Sequence, residues 1–286
     1  MRGKSDMSSA RGVALVTGAS SGFGLLTSIA LAGQGYRVIA TMRDLSRSES
    51  LLLQAEKVGV SSAIETMFLD VTIQTSIEAA VSDIMKKYGR IDVLINNAGF
   101  AVGGYVEDVP MEAWRSQLET NVFGVIATTK AVLPYMRASQ SGCIVNVSSV
   151  SGLSAFPGYA PYSTSKFAIE GFSESLRLEM MSFGVRVVLI EPGAYRTDIW
   201  RKGFEGIHTT EASPYWRRLS SMLAYSRKVS MTAPDPQEVA DAIARLVDKR
   251  EPKLRYPLGR GVKMGLWARS FLPWKWYESI LNRLLK

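Results

Sequence analysis

Tyr162 and Lys166 stand four positions apart in the run YSTSK. On a helix that spacing puts both side chains on one face, about one turn apart, and brings an ammonium near a phenol. At about 4 Å and an effective dielectric near 20, the attraction of the ammonium for a phenolate is about 4 kcal/mol. That corresponds to about three pKa units before desolvation subtracts its share. A phenol drawn from about pKa 10 toward neutrality works as a general acid or base. Ser149 ends the run VNVSS upstream, and its hydroxyl can donate a hydrogen bond to the same oxygen that the phenol serves. Tyr-x-x-x-Lys also arises by chance in many helices, so the pair gains meaning only from its surroundings.

A second chemical feature is TGASSGFG, directly after the apolar run VALVT. Gly18, Gly22 and Gly24 let a backbone approach a pyrophosphate. The helix expected to start near Phe23 offers unpaired N–H groups and a partial positive charge, and Ser20 and Ser21 complete the loop. Glycine-rich turns after strands are also often only tight turns. Asp70, followed by Val71 in LDV, is placed to accept a hydrogen bond from an adenine amine or to cap the next turn. NNAG, with Asn97, Ala98 and Gly99, supplies small polar residues for a cofactor floor or for a turn.

The elements that would position these groups are legible from periodicity. VALVT, YRVIATM, ETMFLDV, DVLINN, CIVNVSS and VRVVLIEP are short apolar runs of the kind expected in a parallel sheet covered on both faces. Ile77, Ala80, Val81, Ile84, Met85 and Tyr88 form a helical stripe. A second helix after Pro161 is expected to bury Ala168, Phe172, Leu176 and Met180. Strand and helix alternate about six times, which predicts an α/β fold: one doubly wound, Rossmann-like domain with a parallel sheet of about seven strands. From Ala194 to Ala233 the alternation stops, and this stretch is placed to act as a lid. Asp235 and Pro236 open a further helix, and LRYPLG gives a last short strand. The expected organisation is an extension over 1–11, the domain over 12–259 with the lid at 194–233, and a tail over 260–286.

Composition narrows the classes. The 286 residues are 47% hydrophobic and 21% charged, ordinary values for a folded chain. A single cysteine, Cys143, excludes an intrachain disulfide, and with a single histidine, His208, leaves too few soft ligands for a structural zinc site. No metal is expected. A Ser-His-Asp hydrolase is excluded unless it recruits His208. MRGKSDMSSARG has no apolar core of a secretory signal, and no apolar run is long enough to span a bilayer, so the expected location is cytoplasmic. The net charge is +8, and from Lys253 onward there are eight basic residues against one acid, Glu278.

TGASSGFG, LDV, NNAG, Asn121, VNVSS, YSTSK and EPG with Thr197 occur in an order that resembles the short-chain dehydrogenase/reductase family. The resemblance runs from about Arg11 to Gly259, and the joint set is highly specific. Within the family the chain is similar to bacterial oxidoreductases of unassigned substrate and to reductases of hydroxysteroids and retinoids. The resemblance implies that Tyr162 protonates a carbonyl oxygen, or deprotonates an alcohol in reverse. Lys166 would lower the phenol's pKa and hold the nicotinamide ribose, Ser149 would polarise the carbonyl, and Asn121 would hold a relay water. Pro192, Gly193 and Thr197 fall on the carboxamide side, and a homodimer or homotetramer through 111–138 and 162–183 is implied. An NAD-preferring member usually carries an acid at the end of the second strand. Here Met42 and Arg43 occupy that place, so NADP(H) is expected over NAD(H), with Asp44 as a competitor for the guanidinium.

The family places Phe100, Phe156, Tyr159, Tyr195, Trp200, Phe204 and Trp216 around the nicotinamide pocket. So many rings suit a lipophilic ketone, aldehyde or secondary alcohol, although some could be ordinary core. In the tail, Tyr277, Ile280, Leu281, Leu284 and Leu285 share a helical stripe. It would dock on the protein's own body or a neighbouring subunit, the preferred reading, or lie on an anionic membrane as a peripheral contact. Nucleic acid is not expected, since the basic residues carry no recognition motif. The rival to an enzyme is a nucleotide-binding sensor or scaffold on the same fold, and the intact Tyr162, Lys166, Ser149 and Asn121 weigh against it.

Overall fold

The computed structural model describes residues 10–197, 203 and 206–284. Its elements in chain order are β1 (Val13–Val16), α1 (Gly22–Gly33), β2 (Arg37–Met42), α2 (Glu49–Lys57), β3 (Ile64–Phe68), α3 (Gln74–Tyr88), β4 (Val93–Asn96) and β5 (Gly103–Gly104). Then follow α4 (Met111–Leu118), α5 (Gly124–Ala138), β6 (Gly142–Val147), α6 (Ala160–Met180), β7 (Val185–Pro192) and β8 (Ile207–His208). The described chain ends with α7 (Trp216–Thr232), α8 (Gln237–Val247), β9 (Arg255–Leu258), α9 (Val262–Phe271) and α10 (Trp274–Leu284).

Seven strands form one sheet in the order β3-β2-β1-β4-β6-β7-β9, and every pairing is parallel. The chain adds strands outward from β1 to β3 and then returns to place β4 on the other side of β1. That reversal opens a crevice at the carboxyl ends of β1 and β4, where open α/β sheets bind their ligands. Alternation within each strand splits the core in two. Ala14 and Val16 pack on the face covered by α1 and α8. Val13 and Leu15 pack on the face covered by α3, α5 and α6. The α/β class, the seven parallel strands and the buried stripe on α3 agree with the sequence pattern.

One expected helix face is rotated. On α6 the buried side chains include Ser163, Ser165, Lys166, Ile169, Glu170, Ser173, Leu176 and Met180, while Ala168 is exposed and Phe172 half-buried. Leu176 and Met180, on its last turns, pack by hydrophobicity as expected. From Ser163 to Ser173 the helix turns polar residues inward, where Asn96 donates to Thr129 and Asn146, and Asn146 donates to Ser173. Buried polar groups that are mutually hydrogen-bonded avoid the cost of an unmet donor, and they fix the register of β4, β6, α5 and α6. The stretch from Ala194 to Ala233 contains α7, a 17-residue helix with no acidic residue.

Candidate active site

The loop between β1 and α1 is shaped by its glycines. Gly18 has φ +67°, and a Cβ there would lie 2.7 Å from the Ala98 Cα, so only glycine lets this turn close on NNAG. Asn97 secures the contact by donating its amide to the carbonyls of Thr17 and Gly18. Ser21 at the head of α1 makes no side-chain cap. The first-turn N–H groups are therefore not taken up by the residue that usually meets them, the condition under which a helix N-terminus binds an anion.

A cleft of about 250 Å³ runs along this end of the sheet. Gly18, Ser20, Ser21, Gly22 and Phe23 line one part, and Asp70, Val71 and Asn97 to Gly99 another. Tyr162, Lys166 and Thr197 close the far end. Gly24 does not line the cleft; it packs beneath the loop against Asn97 and Gly18. Asp70 accepts from the backbone and hydroxyl of Thr72, so one carboxylate oxygen performs the turn-capping role. The backbone cradle and the open helix N-terminus fit a dinucleotide.

At the second strand's end Arg43 lines the cleft, and the expected competition from Asp44 does not occur. The Asp44 carboxylate accepts instead from the backbone N–H and hydroxyl of Ser46. Arg47 lines the cleft as well. Its place depends on the short turn from Leu45 to Ser48, which no motif in the sequence marks.

Tyr162 and Lys166 lie on consecutive turns of α6, as the spacing requires. The Lys166 ammonium is 5.6 Å from the Tyr162 ring centroid and donates to the Val147 carbonyl at 2.8 Å. The expected lowering of the phenol's pKa is not found. Burial pushes Tyr162 above its ordinary value, and the Ser149 hydroxyl beside it offsets part of this. Burial also pulls Lys166 down to about 8, with Glu170 opposing. Burial prevails because the Lys166 ammonium is bonded to the Val147 carbonyl and not to the phenol.

Ser149 lies two residues beyond the end of β6 and accepts from the Ser151 N–H at 3.1 Å. Asn121 is buried in a π turn, Glu119–Phe123, a local widening of the helix common at functional sites. Its amide exchanges hydrogen bonds with the Phe100 backbone and donates to Ser165. Its side chain therefore lines neither the cleft nor the neighbouring cavity.

That cavity, about 500 Å³, meets the cleft at Phe23, Ser148, Tyr162 and Thr197, which line both. Ser149, Phe156, Tyr159, Tyr195, Pro192 and Gly193 line it as well. Tyr195 is fully buried and packs edge-on against Phe23, with ring centroids 5.7 Å apart. Of the other rings expected there, Phe100 lines the cleft, while Trp200 and Phe204 lie outside the described residues. Trp216 lines neither space, because it opens α7 on the outer surface. His208 sits in the two-stranded β5–β8 sheet, away from both.

The remaining wall is made by helices. Tyr225 and Val229 come from α7, Leu266 from α9, and Tyr277 and Ile280 from α10. The Tyr277 hydroxyl is 2.6 Å from that of Ser154, tying α10 to the loop after β6. Tyr277 and Ile280 of the tail's apolar stripe thus face the protein, while Leu285 lies outside the described residues.

A family model described as short chain dehydrogenase matches residues 12–207. The chain is 49% identical over 276 residues to the uncharacterized oxidoreductase YusZ of Bacillus subtilis (strain 168), covering 96% of this chain and 98% of that one. It is 37% identical over 258 residues to a 3-ketodihydrosphingosine reductase of Bacteroides thetaiotaomicron, covering 90% and 91%. A solved short-chain dehydrogenase from Streptomyces avermitilis superposes with a TM-score of 0.79 at 33% identity, covering 96% of each chain. Other solved chains of this fold are complexed with NAD in one case and NADP in another. A cradle for a dinucleotide that ends on a tyrosine and a lysine, in a chain with these likenesses, has one meaning: the protein belongs to the short-chain dehydrogenase/reductase family and is an NAD(P)-dependent oxidoreductase acting on a carbonyl or alcohol.

Proposed function

We propose that the protein is an NADPH-preferring reductase of a lipophilic ketone or aldehyde, or in reverse a dehydrogenase of the corresponding alcohol. The observation that carries this reading is the junction at Tyr162. The phenol borders both the nucleotide cleft and a cavity walled by Phe156, Tyr159, Tyr195, Val229, Leu266 and Ile280. Apolar walls around a few polar groups at one end select a hydrophobic body that carries one reactive oxygen. The Bacteroides relative is named for a ketosphingoid substrate, which accords with such a cavity.

In this reading the nucleotide supplies hydride at its nicotinamide ring. The glycine loop and the N-terminus of α1 hold the pyrophosphate, and Asp70, Val71 and Asn97 to Gly99 flank the adenosine half. Lys166 holds ribose hydroxyls, and Pro192, Gly193 and Thr197 fix the ring's orientation. Ser149 donates a hydrogen bond to the substrate oxygen, and Tyr162 delivers the proton to it. Burial keeps the Tyr162 phenol protonated, so the proton that a reduction consumes is in place before the reaction. Asn121 acts as a positioning residue, since it fastens the Phe100 backbone to α6 through Ser165. Arg43 and Arg47 line the cleft where a 2′-phosphate would meet guanidinium donors.

The test is a screen of ketones and alcohols followed at the reduced nicotinamide absorbance, with both reduced cofactors. Larger kcat/KM with NADPH and with long-chain, steroid or aryl ketones is expected. Equal values for the two cofactors would refute the cofactor preference, and turnover confined to small hydrophilic ketones would refute the lipophilic reading. Tyr162→Phe is expected to lose about a thousandfold or more in kcat while still binding cofactor. Retained turnover would remove the phenol from the mechanism.

A further inference from the structure

The two tail helices have two faces with different characters. Toward the protein, Val262, Leu266, Leu272, Tyr277 and Ile280 wall the substrate cavity. Away from it, Met264, Trp267 and Phe271 follow the i, i+3, i+7 spacing of a single stripe on α9, and they are 74%, 62% and 71% exposed. On α10, Trp274 and Trp276 are 56% and 65% exposed. Large rings left in water at this density mark an interaction surface, because isolated exposed hydrophobics are ordinary but a contiguous group is not.

Charge selects the partner. The three helices around the cavity carry four basic residues on α7, two on α9 and two on α10, against one acid, Glu278. A second copy meeting this face about a twofold axis would set cations against cations, since such a contact pairs a patch with itself. An anionic bilayer meets the same surface with opposite charge and takes Trp and Phe at the headgroup level. Arg269 stacks on Trp274 at 4.9 Å and on Tyr277 at 5.8 Å, which holds a cation among the rings. At 10 and 11 residues, α9 and α10 are too short to span, and no helix among the described residues is long and apolar enough to cross a membrane. The geometry fits a helix pair lying in the interface plane.

We propose that the outer face of α9 and α10 binds the surface of an anionic lipid bilayer, and that the cavity on their inner face draws its substrate from that bilayer. Surface binding stands on the exposed rings and the charge. Substrate delivery rests also on the lipophilic reading of the cavity.

Flotation of the full chain with vesicles tests the first part. Binding to phosphatidylcholine vesicles containing phosphatidylglycerol is expected, with little binding to phosphatidylcholine alone, and weakening as salt is raised. Trp267→Ser combined with Phe271→Ser and Trp276→Ser is expected to cut the bound fraction at least tenfold while the thermal unfolding midpoint stays in place. Lys263→Glu with Lys275→Glu is expected to abolish the preference for anionic vesicles. No flotation of the unmodified chain, or equal flotation of the triple variant, overturns the proposal. So does light scattering in which the unmodified chain is a larger oligomer than the triple variant and neither binds lipid, since the face would then be covered by a second copy. For the second part, kcat/KM for a long-chain ketone presented in anionic vesicles is expected to fall severalfold in the triple variant, with that for a water-soluble ketone unchanged. Flotation without this difference would retain the lipid surface and overturn delivery.

Discussion

The nucleotide cleft is built from chain ends that lie next to one another along the strands, whereas the apolar cavity beside it is built from helices that meet only once the whole domain has folded. In the cleft, backbone does the binding. Glycines set the shape, and Asn97 and Thr17 brace it through hydrogen bonds to the main chain. In the cavity, side chains from α7, α9 and α10 set the shape, and a few tertiary contacts such as Tyr277 to Ser154 hold it. A cofactor shared by many enzymes requires a fixed cradle; a particular substrate requires a wall that can be changed without disturbing that cradle.

Gly18→Val should break the comparison most severely. It places a branched side chain at φ +67° and against the Ala98 backbone. The conformational cost alone is about 1–2 kcal/mol, and overpacking adds about 1–3 more. Cofactor affinity, followed by titration with NADPH, is expected to fall by about a hundredfold or more. Near-normal affinity would show that the loop can move away from NNAG without loss of the cradle.

Arg255, on the last strand just ahead of α9, anchors the strand from which the cavity's tail helices leave. Its guanidinium bonds Glu170 at 3.0 Å and Glu174 at 2.9 Å, and lies 3.5 Å from the fully buried Glu191. Arg255→Met leaves the buried Glu170 carboxylate without its cation, at a cost of about 3 kcal/mol in unfolding free energy. Burial, and then the neighbouring Glu170, push the Glu191 carboxyl up to about 8 from 4.5. A carboxyl raised on folding stabilises the native state while protonated. Its contribution is complete below about pH 4.5 and is lost as the pH rises to about 8. The unfolding midpoint should therefore decline across that window, and Glu191→Gln should flatten the decline. An unchanged slope would remove Glu191 from the linkage.

How much of each region can be read in advance follows from the same contrast. TGASSGFG, NNAG and YSTSK are contiguous, so their residues reach the cleft wherever the sheet forms. Arg47 could not be assigned, because only the turn begun by Asp44 and Ser46 aims it back at the cleft. On α6 the apolar stripe holds at Leu176 and Met180 and partly at Phe172, and the polar residues buried before them escape it for a related reason. Hydrophobic spacing finds faces packed against apolar neighbours, and the middle of α6 instead faces Asn146 and Glu191, where Ser173 and Glu170 belong inside. The tail showed its amphipathic character in its sequence but not its place as a cavity wall, which depends on where β9 leaves the chain.

The pair Arg43→Ala and Arg47→Ala sharpens the comparison from the cleft side. A charge-assisted hydrogen bond contributes about 2 kcal/mol, so kcat/KM with NADPH should fall by about thirtyfold. The value with NADH should hold, and so should KM for the carbonyl substrate. Equal losses with both cofactors would mean that the arginines support the fold rather than read a 2′-phosphate.

The smallest expected effect is the most specific to the cavity. Tyr277→Phe keeps the ring and removes only the hydroxyl that meets Ser154 at 2.6 Å. A neutral hydrogen bond at a half-buried site contributes about 1 kcal/mol net. If that bond holds α10 against the loop after β6, its loss raises the free energy of the closed wall by that amount, and KM for a bulky ketone rises by about fivefold. The cofactor's KM should not change, because no atom of α10 borders the cleft. Ser154→Ala should reproduce the effect, and the double variant should be no worse than either single one, since both remove the same bond. Additive losses would show that the two hydroxyls act separately, and the cavity would then be held by its apolar contacts alone.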